Sequence, residues 1–138
     1  MKISIDGGGL CSEPESRFGN YVFSLNLIDA LSRYDDKNVY TVYSFCSKPA
    51  DLKLGKNFDY KKILPKKLWL SFRVSIEERA RPKDVFFALN QALPKTQAKI
   101  IAFSHGVSFR LFKNLYGPSY TRLNKQLKKM ESQASVSI

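Results

Sequence analysis

Apolar positions along the chain follow two rhythms, one of period two and one of period near 3.6. Lys2–Asp6 (KISID) alternates, with Ile3 and Ile5 apolar, and runs into Gly7-Gly8-Gly9, which ends a strand and permits unusual backbone angles. Residues 10–18 are polar, with Pro14 and several small side chains. Residues 21–34 then carry Val22, Leu25, Ile28, Ala30 and Leu31 at helical spacing, so a glycine-rich loop feeds a first helix. The cluster Asp35-Asp36-Lys37-Asn38 is a turn, and residues 39–45 (VYTVYSF) are rich in the β-branched and aromatic types that strands favour. Together these make a βαβ unit.

Residues 48–57 read as a surface loop, and 60–64 as a further short strand. Residues 66–81 place Leu68, Phe72 and Ile76 four apart, which predicts a helix with that face apolar and with Pro82 closing it. Residues 84–89 (DVFFAL) and 99–103 (KIIAF) read as buried strands flanking a loop that holds Pro94. Near the end, Pro118 marks a helix start, and Tyr120, Leu123, Leu127, Met130 and Ala134 form one stripe, with Arg122, Lys125, Lys128 and Lys129 on the opposite faces. The final ASVSI stops where another β-prone run begins. Strands alternating with helices predict an α/β fold, a Rossmann-like three-layer sandwich with a mostly parallel sheet. No repeat, low-complexity tract or linker marks a second domain within 1–138.

Composition narrows the classes. The 138 residues are 43% hydrophobic, which suits one domain with a sizeable core. Cys11 and Cys46 form no pattern of metal or disulfide spacing and a single histidine builds no zinc site, so a reducing, cytosolic setting and no metal are expected. No apolar run is long enough to span a membrane, and the N-terminus reads as a strand rather than a leader. The 23 basic residues against 12 acidic give a net charge of +11, a field that attracts phosphorylated substrates, nucleic acid or an anionic membrane surface.

Open parallel sheets bind ligands at the carboxyl ends of their strands. Gly7-Gly8-Gly9 lies there, but no third glycine follows at the dinucleotide spacing, so a nicotinamide cofactor is not expected. In Arg17-Phe18-Gly19-Asn20-Tyr21, Gly19 at the helix entrance lets a phosphate approach bare backbone N–H groups, or simply reverses the chain. His105 follows the strand at 99–103 in Ser104-His105-Gly106, placed either to hydrogen-bond a sugar hydroxyl and stabilise developing charge, or to cap the turn. No GxSxG elbow supports a hydrolytic triad, and the adjacent Glu77 and Glu78 point to different helix faces and are expected to be solvated.

The succession KISIDGGGL, RFGNYVFSLNLIDALSRYDDKNVYTVYSF, DVFFALNQALP, KIIAFSHGVSFRLF and a basic helix ending ASVSI resembles retaining GT-B glycosyltransferases of the large group-one type, over essentially the whole chain. Asp6, Gly7 and Leu10 match that family's opening loop. Arg17, Gly19 and Tyr21 match its helix entrance, and His105 matches the histidine of its strand-end motif. The resemblance implies an N-terminal half, with Gly8, Gly9, Arg17 and Tyr21 in the acceptor-side loop and Gly19 and Asn20 near the donor diphosphate. It places His105 near the transferred sugar. The partners implied are a nucleotide-sugar donor, bound mainly by a second domain not contained in 1–138, and a glycan or lipid-linked acceptor. The chain alone is then expected to be inactive, cytoplasmic, independent of cofactors, and able to reach the inner membrane face through cations around its last helix, unless those simply form a solvated face. Gly106 replaces the aspartate usual after the motif histidine, and residues 11–16 carry an apparent insertion.

Two other classes remain open. A non-catalytic interaction domain on a Rossmann scaffold fits because fold does not fix function. A nucleic-acid-binding module fits the charge, but no RNP-like strand or KH loop is present and no specific nucleic acid is expected.

Overall fold

The computed structural model describes every residue except Gln91, His105, Val107 and Phe112. The elements run in the order β1 (Lys2–Asp6), α1 (Asn20–Tyr34), β2 (Val39–Ser44), β3 (Phe58–Lys62), α2 (Ser75–Ala80), β4 (Val85–Ala88), β5 (Lys99–Ala102), α3 (Ser108–Leu111), α4 (Lys113–Tyr116), α5 (Ser119–Gln133) and β6 (Val136–Ser137). Among the described residues six strands pair in parallel in the order β3-β2-β1-β4-β5-β6. This is the Rossmann strand order, and its switch point falls between β1 and β4. No helix among the described residues is long and apolar enough to cross a membrane.

Period-two alternation divides the core between the two sheet faces. Ile3 and Ile5 of β1, Tyr40 and Val42 of β2, and Val85 and Phe87 of β4 pack with Ile28 of α1 and with Leu52 and Leu89. Tyr43, Phe86, Ala88, Ile100 and Ala102 face the other way and pack with Val74, Leu127 and Met130. The strip at Ser135 to Ile138 closes the far edge of the sheet, with Ser135 N–H donating to Ile100 O and Ile138 N–H to Ala102 O, both at 2.8 Å. The apolar stripe of α5 therefore lands on the core as its spacing implies, with Leu127 and Met130 buried and Tyr120, Leu123 and Ala134 packed beside them.

The segment before α2 departs from expectation. Trp69–Val74 is a π-helical turn, entered through Leu68 at φ 57°. Its i→i+5 bonding rotates the following residues relative to an α-helix. Trp69, Leu70, Val74 and Glu78 consequently face the sheet, whereas Leu68, Phe72 and Ile76 are exposed. The expected solvated pair is also corrected. Glu78 is only 2% exposed and accepts from Thr96 Oγ1 at 2.7 Å, while Glu77 is ion-paired with Lys61. Burial, and then the neighbouring Glu78, push the Tyr43 phenol well above its ordinary range.

Asp35 ends α1 and ties it to β2. Its carboxylate accepts from Tyr40 Oη at 2.6 Å, Asn38 Nδ2 at 2.6 Å and the backbone N–H groups of Lys37 and Asn38. The Tyr40 phenol first, and then the Asn38 amide, hold this carboxyl far below the usual carboxylate range. A depressed folded-state pKa contributes stability that is complete above the unfolded value of about 4 and is lost as pH falls below it. The unfolding midpoint of the wild type should therefore fall more steeply between about pH 4 and pH 2 than that of Asp35→Asn. Equal slopes in an acid series of thermal melts would remove Asp35 as the cause.

Candidate functional site

The open end of the switch point is built by three chain segments that the sheet brings together. β1 delivers Asp6 and the glycine loop, β4 delivers Asn90, and α1 begins with Asn20. Asp6 is fully buried, and its two carboxylate oxygens serve different segments. Oδ1 accepts the Gly8 N–H at 2.9 Å, and Oδ2 accepts Asn90 Nδ2 at 2.8 Å. Asn20 Nδ2 in turn donates to Asn90 Oδ1 at 3.2 Å. The Asn90 amide is thus oriented from both sides, with its nitrogen toward Asp6 and its oxygen toward α1.

Beside this network lies a cavity of about 240 Å³ lined by Asp6, Gly8, Phe45, Trp69, Leu70, Asn90 and Ala92. Phe45 and Trp69 meet edge to face, with centroids 5.4 Å apart, and the Lys66 ammonium lies 5.2 Å from the Phe45 ring centroid. The walls therefore combine aromatic surface, an oriented amide and a nearby cation. That is the combination expected where a small polar molecule with an apolar face is to be held.

The glycines divide by role. A Cβ on Gly8 would lie 2.9 Å from Trp69 Cζ2 and 3.0 Å from Asp6 Oδ1, so glycine keeps the cavity wall open. A Cβ on Gly9 would meet Ser24 Oγ at 2.6 Å and Asn20 O at 2.9 Å, so glycine there lets the loop lie directly on α1. Gly19, with φ 38°, is set by backbone conformation and has open space around it at the helix entrance. Between Gly8 and the helix the chain forms two short 3-10 turns, Gly8–Cys11 and Pro14–Ser16, rather than a continuous phosphate cradle.

Arg17 is exposed and sits 5.0 Å from the Tyr21 ring centroid. The Tyr21 hydroxyl donates to Asp51 at 3.2 Å, and burial together with that carboxylate raises the phenol's pKa. Of the residues singled out from sequence, Gly8 and Asn20 join the cavity network and Gly9 supports it from behind. Arg17 and Gly19 stand at the helix entrance, and Tyr21 turns inward as an anchor. His105 lies outside the described residues.

Sequence reasoning missed Asn90, Trp69 and Phe45. Asn90 was findable as the first polar residue after the buried strand β4, on the far side of the switch point. Trp69 was hidden by the helix phase that made Leu68, Phe72 and Ile76 look like the inner face.

The cysteines overturn a further expectation. Cys11 and Cys46 form a disulfide with Cα atoms 5.5 Å apart, within the range such a bond needs. It fastens the loop after β1 to the residue following Phe45, at the rim of the cavity. Their separation of 35 residues carries no motif, and only the parallel pairing of β1 with β2 brings them together. A reducing compartment accordingly loses the support it drew from the cysteine pattern. Comparison with protein-family models, with curated proteins and with solved structures returns no match for this chain.

Proposed function

We propose that the chain is the acceptor-side, Rossmann-like domain of a glycosyltransferase, holding a sugar in the cavity between β1 and β4. Transfer from a nucleotide-sugar donor to a glycan or lipid-linked acceptor then needs a second domain to contribute the donor site. The observation that carries this reading is the pairing of an oriented amide, Asn90, with the aromatic walls Phe45 and Trp69 at the switch point. Sugars present hydroxyl groups around a ring whose C–H faces are apolar. An amide fixed by Asp6 and Asn20 suits the hydroxyls, and aromatic surface suits the ring face. Lys66 near the cavity and Arg17 at the α1 entrance supply positive potential for a phosphate carried by either substrate.

Trp69 is the sole tryptophan of the chain, so its emission reports on this cavity alone. Titration with nucleotide-sugars, sugar phosphates and short oligosaccharides is expected to change that emission, with a dissociation constant on the order of 1 mM for the isolated domain. Asn90→Ala should weaken the response about tenfold and also lower the thermal midpoint, because it takes a donor away from the buried Asp6 carboxylate. A response to free nucleotide alone, or none to any sugar, would sink the assignment.

A further inference from the structure

We infer that the outer face of the Leu64–Ile76 segment is a docking surface for an anionic phospholipid bilayer. Leu64, Leu68, Phe72 and Ile76 recur every four residues and are 54%, 67%, 59% and 49% exposed. Leu64 and Ile76 line one groove, and four exposed large apolar side chains within this short segment are more than scattered surface hydrophobicity. Leu68 sits in the left-handed backbone region, where a γ-branched residue is strained, and its side chain projects into solvent rather than gaining burial in return. Strain without burial is a mark of a position kept for something other than the core.

Charge selects the occupant. The row is flanked by Lys61, Lys62 and Arg73, which line that groove with Leu64 and Ile76, and by Lys66 and Lys67 next to Leu68 in the chain. On that rim Glu77 is the acidic group, and it is already engaged by Lys61. A groove of about 250 Å³ between β3 and α2, lined by Lys61, Lys62, Leu64, Arg73 and Ile76 among others, is open to a headgroup phosphate. Apolar side chains entering the interfacial layer, with lysine stems running beside them and their ammonium groups at the phosphates, are the arrangement by which a peripheral protein lies on an anionic membrane. A protein partner would need its own groove to receive a convex row and its own ring of carboxylates to meet the cations. A bilayer supplies both in any orientation about its normal.

The last helix, which charge alone favours, exposes no apolar row of its own, and the exposed Leu111 and Leu115 beside it stand on two separate short helices. Arg122, Lys125, Lys128 and Lys129 are exposed, but Leu127 and Met130 are buried against the sheet, and no large hydrophobic residue described on α5 is exposed. The same segment presents Trp69 inward to the cavity and Phe72 outward, so docking places the cavity wall next to the lipid surface. The inference does not depend on what the cavity binds.

Co-sedimentation of the full chain with vesicles tests it. The protein is expected to pellet with mixed phosphatidylglycerol and phosphatidylcholine vesicles, to pellet far less with pure phosphatidylcholine, and to be released by raised salt. Phe72→Gln combined with Ile76→Gln should weaken partitioning at least about tenfold, because both side chains are lost from the interface. These are exposed positions, and an unchanged thermal melt confirms that the fold is intact. Lys66→Gln with Lys67→Gln should weaken it by a similar factor, whereas neutralising Arg122, Lys125, Lys128 and Lys129 together should have a smaller effect. Three results would each overturn the inference: no pelleting with anionic vesicles, equal pelleting with zwitterionic ones, or loss on neutralising α5 with retention in the Phe72/Ile76 variant. Because the readout is lipid binding alone, its failure is separate from any failure to bind sugar.

Discussion

Replacing Cys11 and Cys46 together by serine is expected to lower the unfolding free energy by about 4 kcal/mol and the thermal midpoint by roughly 10 °C. The bond joins residues 35 apart and closes a loop that contains the Pro14–Ser16 turn, α1 and β2. Removing it frees the unfolded chain to explore the conformations that this closure forbids. The native state loses little in exchange, because β1 and β2 remain paired over their whole length, from Lys2 opposite Val39 to Asp6 opposite Tyr43. Urea melts with and without reductant provide the measurement. Reductant should reproduce the shift in the wild type and do nothing to the double-serine protein. A shift below about 1 kcal/mol would mean that the disulfide adds nothing to what the strand pairing already holds.

The period-two and period-3.6 patterns made most of the sheet legible because they report which side of an element is buried, and burial in this molecule follows the strands closely. The strands at 2–6, 39–45, 60–64, 84–89 and 99–103, the helix at 21–34 and the helix starting near Pro118 with its stripe to Ala134 are read from that signal and are found within a residue or two. The failures have a common physical source, which is that periodicity assumes one fixed turn angle. At Trp69–Val74 the backbone takes a wider turn, and the row expected to face inward, Leu68, Phe72 and Ile76, is exposed, whereas Leu70, Val74 and Glu78, also four apart, are buried. The disulfide was invisible for a different reason. It depends on two strands 35 residues apart lying side by side, a long-range fact that no local spacing encodes. The short helices at Ser108–Leu111 and Lys113–Tyr116 fall below the length at which periodicity carries information.

At the candidate site the loop glycines were legible and the side chains across from them were not. Gly8 and Gly9 stand out in sequence because three consecutive glycines are rare after an alternating strand. Nothing local announces that Asn90, more than eighty residues later, will share a carboxylate with Gly8. The switch-point rule could have joined them, since it requires whatever follows β1 and whatever follows β4 to meet.

Asp6 carries the second large expectation. Asp6→Ala should cost roughly 3–5 kcal/mol, because it strands the Gly8 N–H and the Asn90 amide nitrogen, two donors that the buried carboxylate now satisfies. It should also abolish the Trp69 fluorescence response, since an unheld Asn90 no longer fixes the geometry of the cavity wall. Asp6→Asn separates shape from hydrogen bonding. The new amide can still accept from Gly8 through its oxygen, but its nitrogen then faces the Asn90 nitrogen, donor against donor. Asn90 relieves that conflict only by flipping, which turns its own nitrogen toward Asn20 and breaks the 3.2 Å bond. A reciprocal exchange, Asp6→Asn together with Asn90→Asp, restores a donor opposite an acceptor and should recover at least about 1 kcal/mol over the sum of the single changes. Strict additivity in that double-mutant cycle would show that the two side chains act independently, and Asp6 would then be a core residue with no positioning role at the site.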